Sequence, residues 1–112
     1  KAVQLVRKNL SICHVESGYE IHQMSVFQLL RGLSAVRFDF VFLDPPYDFE
    51  HYQKLLRIVC KLPSVGARTR IVLELFKKAN LDVLDTGLSV RRMLRIGNSQ
   101  LVFLSMDSEW SR

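Results

Sequence analysis

Asp44, Pro45, Pro46 and Tyr47 follow directly on the most apolar run in the chain, Phe38-Asp39-Phe40-Val41-Phe42-Leu43. An acidic residue, two prolines and an aromatic at the exit of a buried strand place a carboxylate, a fixed carbonyl and a flat ring around one opening. That set suits a planar amine. The lone pair of an exocyclic amino group on a nucleobase is delocalised into the ring, so a site that makes it react must accept its N–H hydrogens and hold the base still. The Asp44 carboxylate and the Pro45 carbonyl are acceptors, and hydrogen bonds to a charged group are the stronger kind. Neither proline carries an N–H. Tyr47 can stack on the base, an interaction worth roughly 1–3 kcal/mol in nucleic-acid sites. The plainer alternative is that the prolines end a strand and Tyr47 caps a core. With proline near 5% of residues, an adjacent pair arises about once in 400 positions, and the flanking Asp44 and Tyr47 make chance a poorer account.

Other polar residues carry weaker signals. Glu74 ends an apolar strand pattern and either lines the same opening or is an exposed strand terminus. Asp39 interrupts the apolar run and is expected at the sheet's edge or paired with a neighbouring arginine. Asp48 and His51 lie close enough to the motif to border the opening, and neither is assigned a catalytic proton. Cys13 and Cys60 have no Cys-x-x-Cys partner and sit in helix-like apolar patterns, which predicts buried reduced thiols rather than a disulfide or metal site. His14, His22 and His51 have no ligand spacing, and no metal is expected.

The chain has 112 residues, 48% of them hydrophobic and 24% charged, which is one globular domain's worth. No apolar run approaches the roughly 20 residues that cross a bilayer, and no signal peptide is visible, so a cytoplasmic protein is expected. The formal charge of +5 and pI of 9.6 favour an anionic partner. Arg68, Arg70, Lys77, Lys78, Arg91, Arg92, Arg95 and Arg112 all fall in the second half. Any one of them alone is better read as a solvated surface charge; as a group they make nucleic acid the leading partner class. Arg91, Arg92 and Arg95 crowd one strand of the terminal hairpin and are expected to contact phosphate, with alternation sending Arg91 and Arg95 to one face and Arg92 to the other.

The elements that must position these residues alternate. Residues 2 to 13 carry Ala2, Val3, Leu5, Val6, Leu10 and Cys13 at helical spacing. Tyr19 to Met24 alternates like a strand, and Ser25 can cap a helix over 25 to 33. A strand over 38 to 43 follows, then a helix over 50 to 62 with Tyr52, Leu55, Leu56, Val59 and Leu62 on one side and Pro63 stopping it. Residues 69 to 75 read as another buried strand. Strands near 89 to 96 and 100 to 106 flank Gly97-Asn98-Ser99, which suits a hairpin. The order is α/β, with parallel strands, helices on both faces and a terminal antiparallel hairpin in a single domain over residues 1 to 106, followed by a tail at 107 to 112.

The motif resembles the (Asp/Asn/Ser)-Pro-Pro-(aromatic) element of S-adenosylmethionine-dependent amino methyltransferases. Lys1 to Leu10, Phe38 to Tyr47, Ile71 to Glu74 and Met93 to Phe103 are similar to successive segments of the RsmD-type bacterial 16S rRNA guanine-N2 methyltransferases. The resemblance implies the C-terminal part of a Rossmann-like methyltransferase fold, with Asp44, Pro45, Pro46 and Tyr47 as the catalytic element, S-adenosylmethionine as methyl donor, and rRNA or the small ribosomal subunit as partner. It also implies an adenine contact just after the strand at 19 to 24. Ser25 stands there, where many relatives have Asp; a helix cap explains it equally well. The family's glycine-rich loop and ribose-binding acid have no counterpart in the text, so the chain is expected to be a fragment, inactive alone. The family sheet order is 3-2-1-4-5-7-6, and loss of its first two strands predicts either five strands ordered 3-4-5-7-6 or a gap filled by the missing half or another copy of the chain. In the five-strand repair, the helix at 2 to 13 covers one face and the helices at 25 to 33 and 50 to 62 the other. Adenine-N6 DNA methyltransferases share the motif, and protein glutamine methyltransferases carry an Asn version. A non-catalytic basic RNA-binding module is the alternative from another class.

Overall fold

The computed structural model describes residues 2–32, 37–45, 52–76, 81 and 86–106. Among them run α1 (Ala2–Ile12), α2 (Val26–Gly32), β1 (Phe40–Leu43), α3 (Tyr52–Cys60), β2 (Arg70–Phe76), β3 (Ser89–Ile96) and β4 (Ser99–Ser105). The strands form one sheet ordered β1-β2-β4-β3. β1 and β2 are parallel and joined through α3, while β4 runs antiparallel to both β2 and β3. This is the α/β arrangement expected for the 4-5-7-6 part of the sheet.

The core lies on one side of that sheet. Tyr52, Leu55, Leu56 and Val59, spaced i, i+3, i+4, i+7 along α3, are all buried. They meet Leu43, Ile71, Leu73, Leu75, Val102 and Leu104, the inward set of a two-residue alternation. Each such side chain is worth roughly 1.5–3 kcal/mol when fully buried. α2 packs against α3, and the Lys54 Nζ sits 4.9 Å from the centroid of the Phe27 ring. Beyond Cys60 the helix tightens, with Leu62 N–H donating to the Val59 carbonyl, before Pro63 precludes continuation. Residues 50 and 51 lie outside the described residues.

Three expectations are corrected. Tyr19 to Met24 forms no strand, so the sheet has four described strands rather than five. An alternating pattern is only a strand when another strand pairs with it, and none of the described strands does so here. α1 forms but covers neither face: it has no buried residue, packs against no other described element, and leaves Leu5 58% and Ile12 64% exposed. Cys13 is accordingly exposed, not buried, and Cys60 is half-buried. What holds the end of α1 is its own backbone. His14 adopts φ 58°, its N–H donates to the Ser11 carbonyl, and the Val15 N–H donates to the Leu10 carbonyl. That is a Schellman closure with histidine in the position that glycine usually takes.

The hairpin turn is Gly97-Asn98, since Ile96 pairs directly with Ser99. Gly97 has φ 58° and Asn98 is not in the left-handed region, as a type II′ turn requires. On the other end of β3 a bulge falls between Val90 and Arg92, and it resets the alternation. Arg92 pairs with Phe103 and Arg95 with Gln100, so those two face opposite ways. The Arg91 Nε donates to the Ser105 Oγ at 3.0 Å, on the Phe103 side, so Arg91 and Arg95 do not share a face as simple alternation predicted.

Candidate functional site

β1 aims Asp44 and Pro45 out of the carboxyl end of the parallel pair, where open α/β sheets bind ligands. Leu43 anchors the strand in the core, and Asp44, one residue further, is exposed. The register pairs Leu43 with Leu73, so Glu74 follows on β2 beside Asp44. Arg70, Val72 and Glu74 share the face of Phe40 and Phe42, opposite the core. Glu74 is therefore mid-strand and half-buried rather than at a strand terminus, since β2 continues to Phe76. Asp44 and Glu74 thus each follow directly on the last residue pair of the parallel ladder, Leu43 with Leu73. Pro46, Tyr47, Asp48 and His51 lie outside the described residues.

The start of β1 is fixed by a buried hydroxyl. Thr69 is 2% exposed; its Oγ1 donates to the Phe38 carbonyl at 2.6 Å and accepts from the Gly66 N–H at 2.9 Å. Phe38 N–H donates to the Ser64 carbonyl at 2.8 Å, and Arg70 N–H to the Asp39 carbonyl at 2.9 Å. The segment 64–70 thus clamps the entry of β1 and sets its register against β2. The sequence gives little hint of Thr69, since a threonine before a strand pattern looks like any loop residue. Beside the clamp, Arg37, Asp39 and Arg68 line a cavity of about 340 Å³. Asp39 shares that space with the two arginines, and a side chain on Gly66 would meet the Arg37 guanidinium at 3.0 Å.

The remaining candidates are dispersed. Ser25 is exposed and sits at the N-cap of α2, its carbonyl accepting the Leu29 N–H at 3.0 Å. No strand precedes it among the described residues and a seven-residue helix follows it. Arg92 and Arg95 are exposed on the hairpin, away from the motif strand and at the far side of the sheet, and Arg91 is held by Ser105.

A parallel β-α-β pair with an acidic residue at its carboxyl end, extended by an antiparallel hairpin, defines the second half of a Rossmann-like methyltransferase fold. Residues 1–105 match the family model described as Conserved hypothetical protein 95, and the chain belongs to this RsmD-like family. An uncharacterised methylase of Rickettsia prowazekii (strain Madrid E) is 34% identical over 77 residues, which are 69% of this chain and 32% of that protein. The chain therefore spans about a third of the length of that relative. Among solved structures, a conserved hypothetical protein of Streptococcus pyogenes aligns with TM-score 0.85 at 21% identity, covering 98% of this chain and 68% of the other. A Haemophilus influenzae protein described as a methylase gives TM-score 0.72 at 20% identity, over 94% and 66%. An Escherichia coli protein described as a methyltransferase gives 0.73 at 15%, over 95% and 57%. At these identities the structures establish the fold.

Proposed function

We propose that this chain supplies the base-holding part of a methyltransferase that acts on the N2 amino group of a guanine in 16S rRNA. The observation that carries the reading is the placement of Asp44 and Pro45 at the carboxyl end of β1, beside Glu74, in a family whose relatives are described as methylases. The reacting nitrogen is paired and stacked in a helix, so the base must be flipped out or taken from a single strand. The Asp44 carboxylate and the Pro45 carbonyl accept its two N–H hydrogens, which fixes the plane of the amine and leaves its lone pair directed at the incoming methyl group. Tyr47, by resemblance, stacks on the ring. S-adenosylmethionine is the methyl donor the family implies. Basic residues of the second half, Arg92 and Arg95 foremost, carry the phosphate contacts, and the expected location is the cytoplasm. No described helix is long and apolar enough to cross a membrane.

The test separates the amine from the rest of the base. Single-stranded RNA oligonucleotides containing either guanine or inosine, which lacks only the N2 amino group, are titrated against the chain. A hydrogen bond to a charged group contributes about 1.5–3 kcal/mol, so guanine should bind roughly 10- to 100-fold more tightly, and Asp44→Ala should erase the difference. Equal affinity for the two in the native chain rejects the assignment.

A further inference from the structure

Three charged side chains line one cavity at the amino end of the parallel strand pair. Arg37, Asp39 and Arg68 surround a space of about 340 Å³ together with Gly66 and the buried Thr69. That volume is at the small end of ligand cavities, which run from roughly 300 to 1,000 Å³. Among the described residues, no hydrogen bond or ion pair engages any of the three charged groups, so the arginine pairing expected for Asp39 does not form.

The walls are held by the chain's own hydrogen bonds. Residues 37–39 lead into β1 and residues 66–69 into β2, and the two segments are tied by the Thr69 Oγ1 bond to the Phe38 carbonyl and the Arg70 N–H bond to the Asp39 carbonyl. No residue of β1 itself lines the space, so the outer edge of that strand and its Phe40–Phe42 face take no part in its shape. Arg37 is also placed. Its guanidinium lies over Gly66, where a Cβ would stand 3.0 Å from Nη1 and 3.5 Å from Cζ, so the missing side chain at Gly66 is what gives the guanidinium its room.

The donor set selects the ligand. Each guanidinium presents N–H donors in a planar fork that matches a phosphate. A carboxylate beside them repels an anion that only accepts, such as inorganic phosphate. It suits a ligand that carries hydroxyl donors next to its phosphate, and the ribose 2′-hydroxyl is such a donor. We infer that this cavity binds a ribose-phosphate unit, with Arg37 and Arg68 on the phosphate and Asp39 accepting from the 2′-hydroxyl. The unit belongs to an RNA strand or to a free ribonucleotide. At roughly 3.3 Å per residue, the five positions from Asp39 to Asp44 put the cavity some 16 Å from the opening at the carboxyl end. The site therefore stands or falls independently of the chemistry assigned to Asp44.

The test is a titration of the isotope-labelled 112-residue chain with a short oligouridylate, the matching deoxy-oligomer and uridine 5′-monophosphate. The Gly66 amide and the Arg37 and Arg68 Nε–H signals are followed by NMR. Uracil has no exocyclic amine, so these probes do not report on the amine contacts assigned to Asp44. The ribo-oligomer should shift the three signals saturably and bind about 10-fold more tightly than the deoxy-oligomer, as one hydrogen bond to a charged group predicts. Asp39→Ala should remove that preference. Arg37→Gln and Arg68→Gln should each weaken the ribo-oligomer by about 10-fold or more, whereas Lys8→Gln, which takes the same charge from α1, should leave its affinity unchanged. Gly66→Ala tests the cradle alone. It keeps every charge and should weaken binding several-fold at an unchanged melting temperature, since what the new Cβ displaces is the end of an exposed, flexible side chain. A mononucleotide that binds as tightly as the oligomer identifies a free ribonucleotide as the ligand, and a weaker one identifies the strand; either supports the ribose-phosphate assignment. Signals that do not saturate, equal affinity for the ribo- and deoxy-oligomers, or native affinity in Arg37→Gln or Gly66→Ala overturns it.

Discussion

Thr69→Val is the sharpest probe of how the motif strand is held. Valine matches threonine in shape and lacks the hydroxyl, so the change leaves packing alone and strands two backbone groups, the Phe38 carbonyl and the Gly66 N–H, now bonded at 2.6 and 2.9 Å. A buried group left unpaired costs about 1–3 kcal/mol. Phe38 and Gly66 are half-buried, which lets water recover part of the loss, so the lower half of the range applies and the pair should total about 2–4 kcal/mol. At roughly 4–8 °C per kcal/mol for a domain near this size, the melting temperature should fall by about 10 °C or more. Thr69→Ser is the control: it keeps the oxygen and loses one methyl, about 0.8 kcal/mol. Urea unfolding followed by circular dichroism gives both values. If Thr69→Val is as stable as Thr69→Ser, the clamp contributes nothing and the account of how β1 is registered fails.

Native-state hydrogen exchange should show β2 and β4 amides slowest and α1 amides nearly unprotected, because an eleven-residue helix with no packed face is marginal on its own; protection of α1 equal to β2 would contradict its isolation. Cys13 should be alkylated well before Cys60 at pH 8, since Cys13 is exposed and burial raises the Cys60 thiol above its ordinary value, leaving less thiolate; equal rates would refute this. Arg92→Ala and Arg95→Ala should each reduce the salt slope of single-strand RNA binding by about 0.7, whereas Arg91→Ala, whose guanidinium is held by Ser105, should change stability instead. An unchanged slope in the double variant Arg92→Ala/Arg95→Ala would count against phosphate contact. Titration with S-adenosylmethionine should show no saturable binding below millimolar concentration, and micromolar binding would mean that the cofactor site lies in residues other than those considered.

Helix α3 was legible because four apolar residues at helical spacing and a following proline leave no other reading, and β2 because its apolar run is long enough to be buried on one face. The placement of Asp44 and Pro45 directly after a strand was equally legible, since it depends on the residues just before them and not on distant partners. What the text does not reveal depends on pairing. Tyr19 to Met24 has a strand's pattern and no described strand beside it, and α1 has an amphipathic face that no other described element covers. The face assignment of Arg91 failed for a local reason: a single extra residue at the bulge inverts the parity of everything on one side of it. Thr69 was invisible because its importance lies in two backbone groups, one of them thirty-one positions away.

The placement of β4 between β2 and β3 has a consequence for synthesis. β4 follows the other described strands in sequence and is yet an interior one, so Ile71 must wait for Leu104 before that edge is paired. The thirty-three residues from position 72 through Leu104 (104 minus 71) take roughly 2–7 s to translate at about 5–20 residues per second. During that interval the edge of β2 that β4 will take stands open. A nascent chain in that state is exposed to mispairing with its neighbours on the same message, and slower translation after Phe76 would lengthen the exposure in direct proportion.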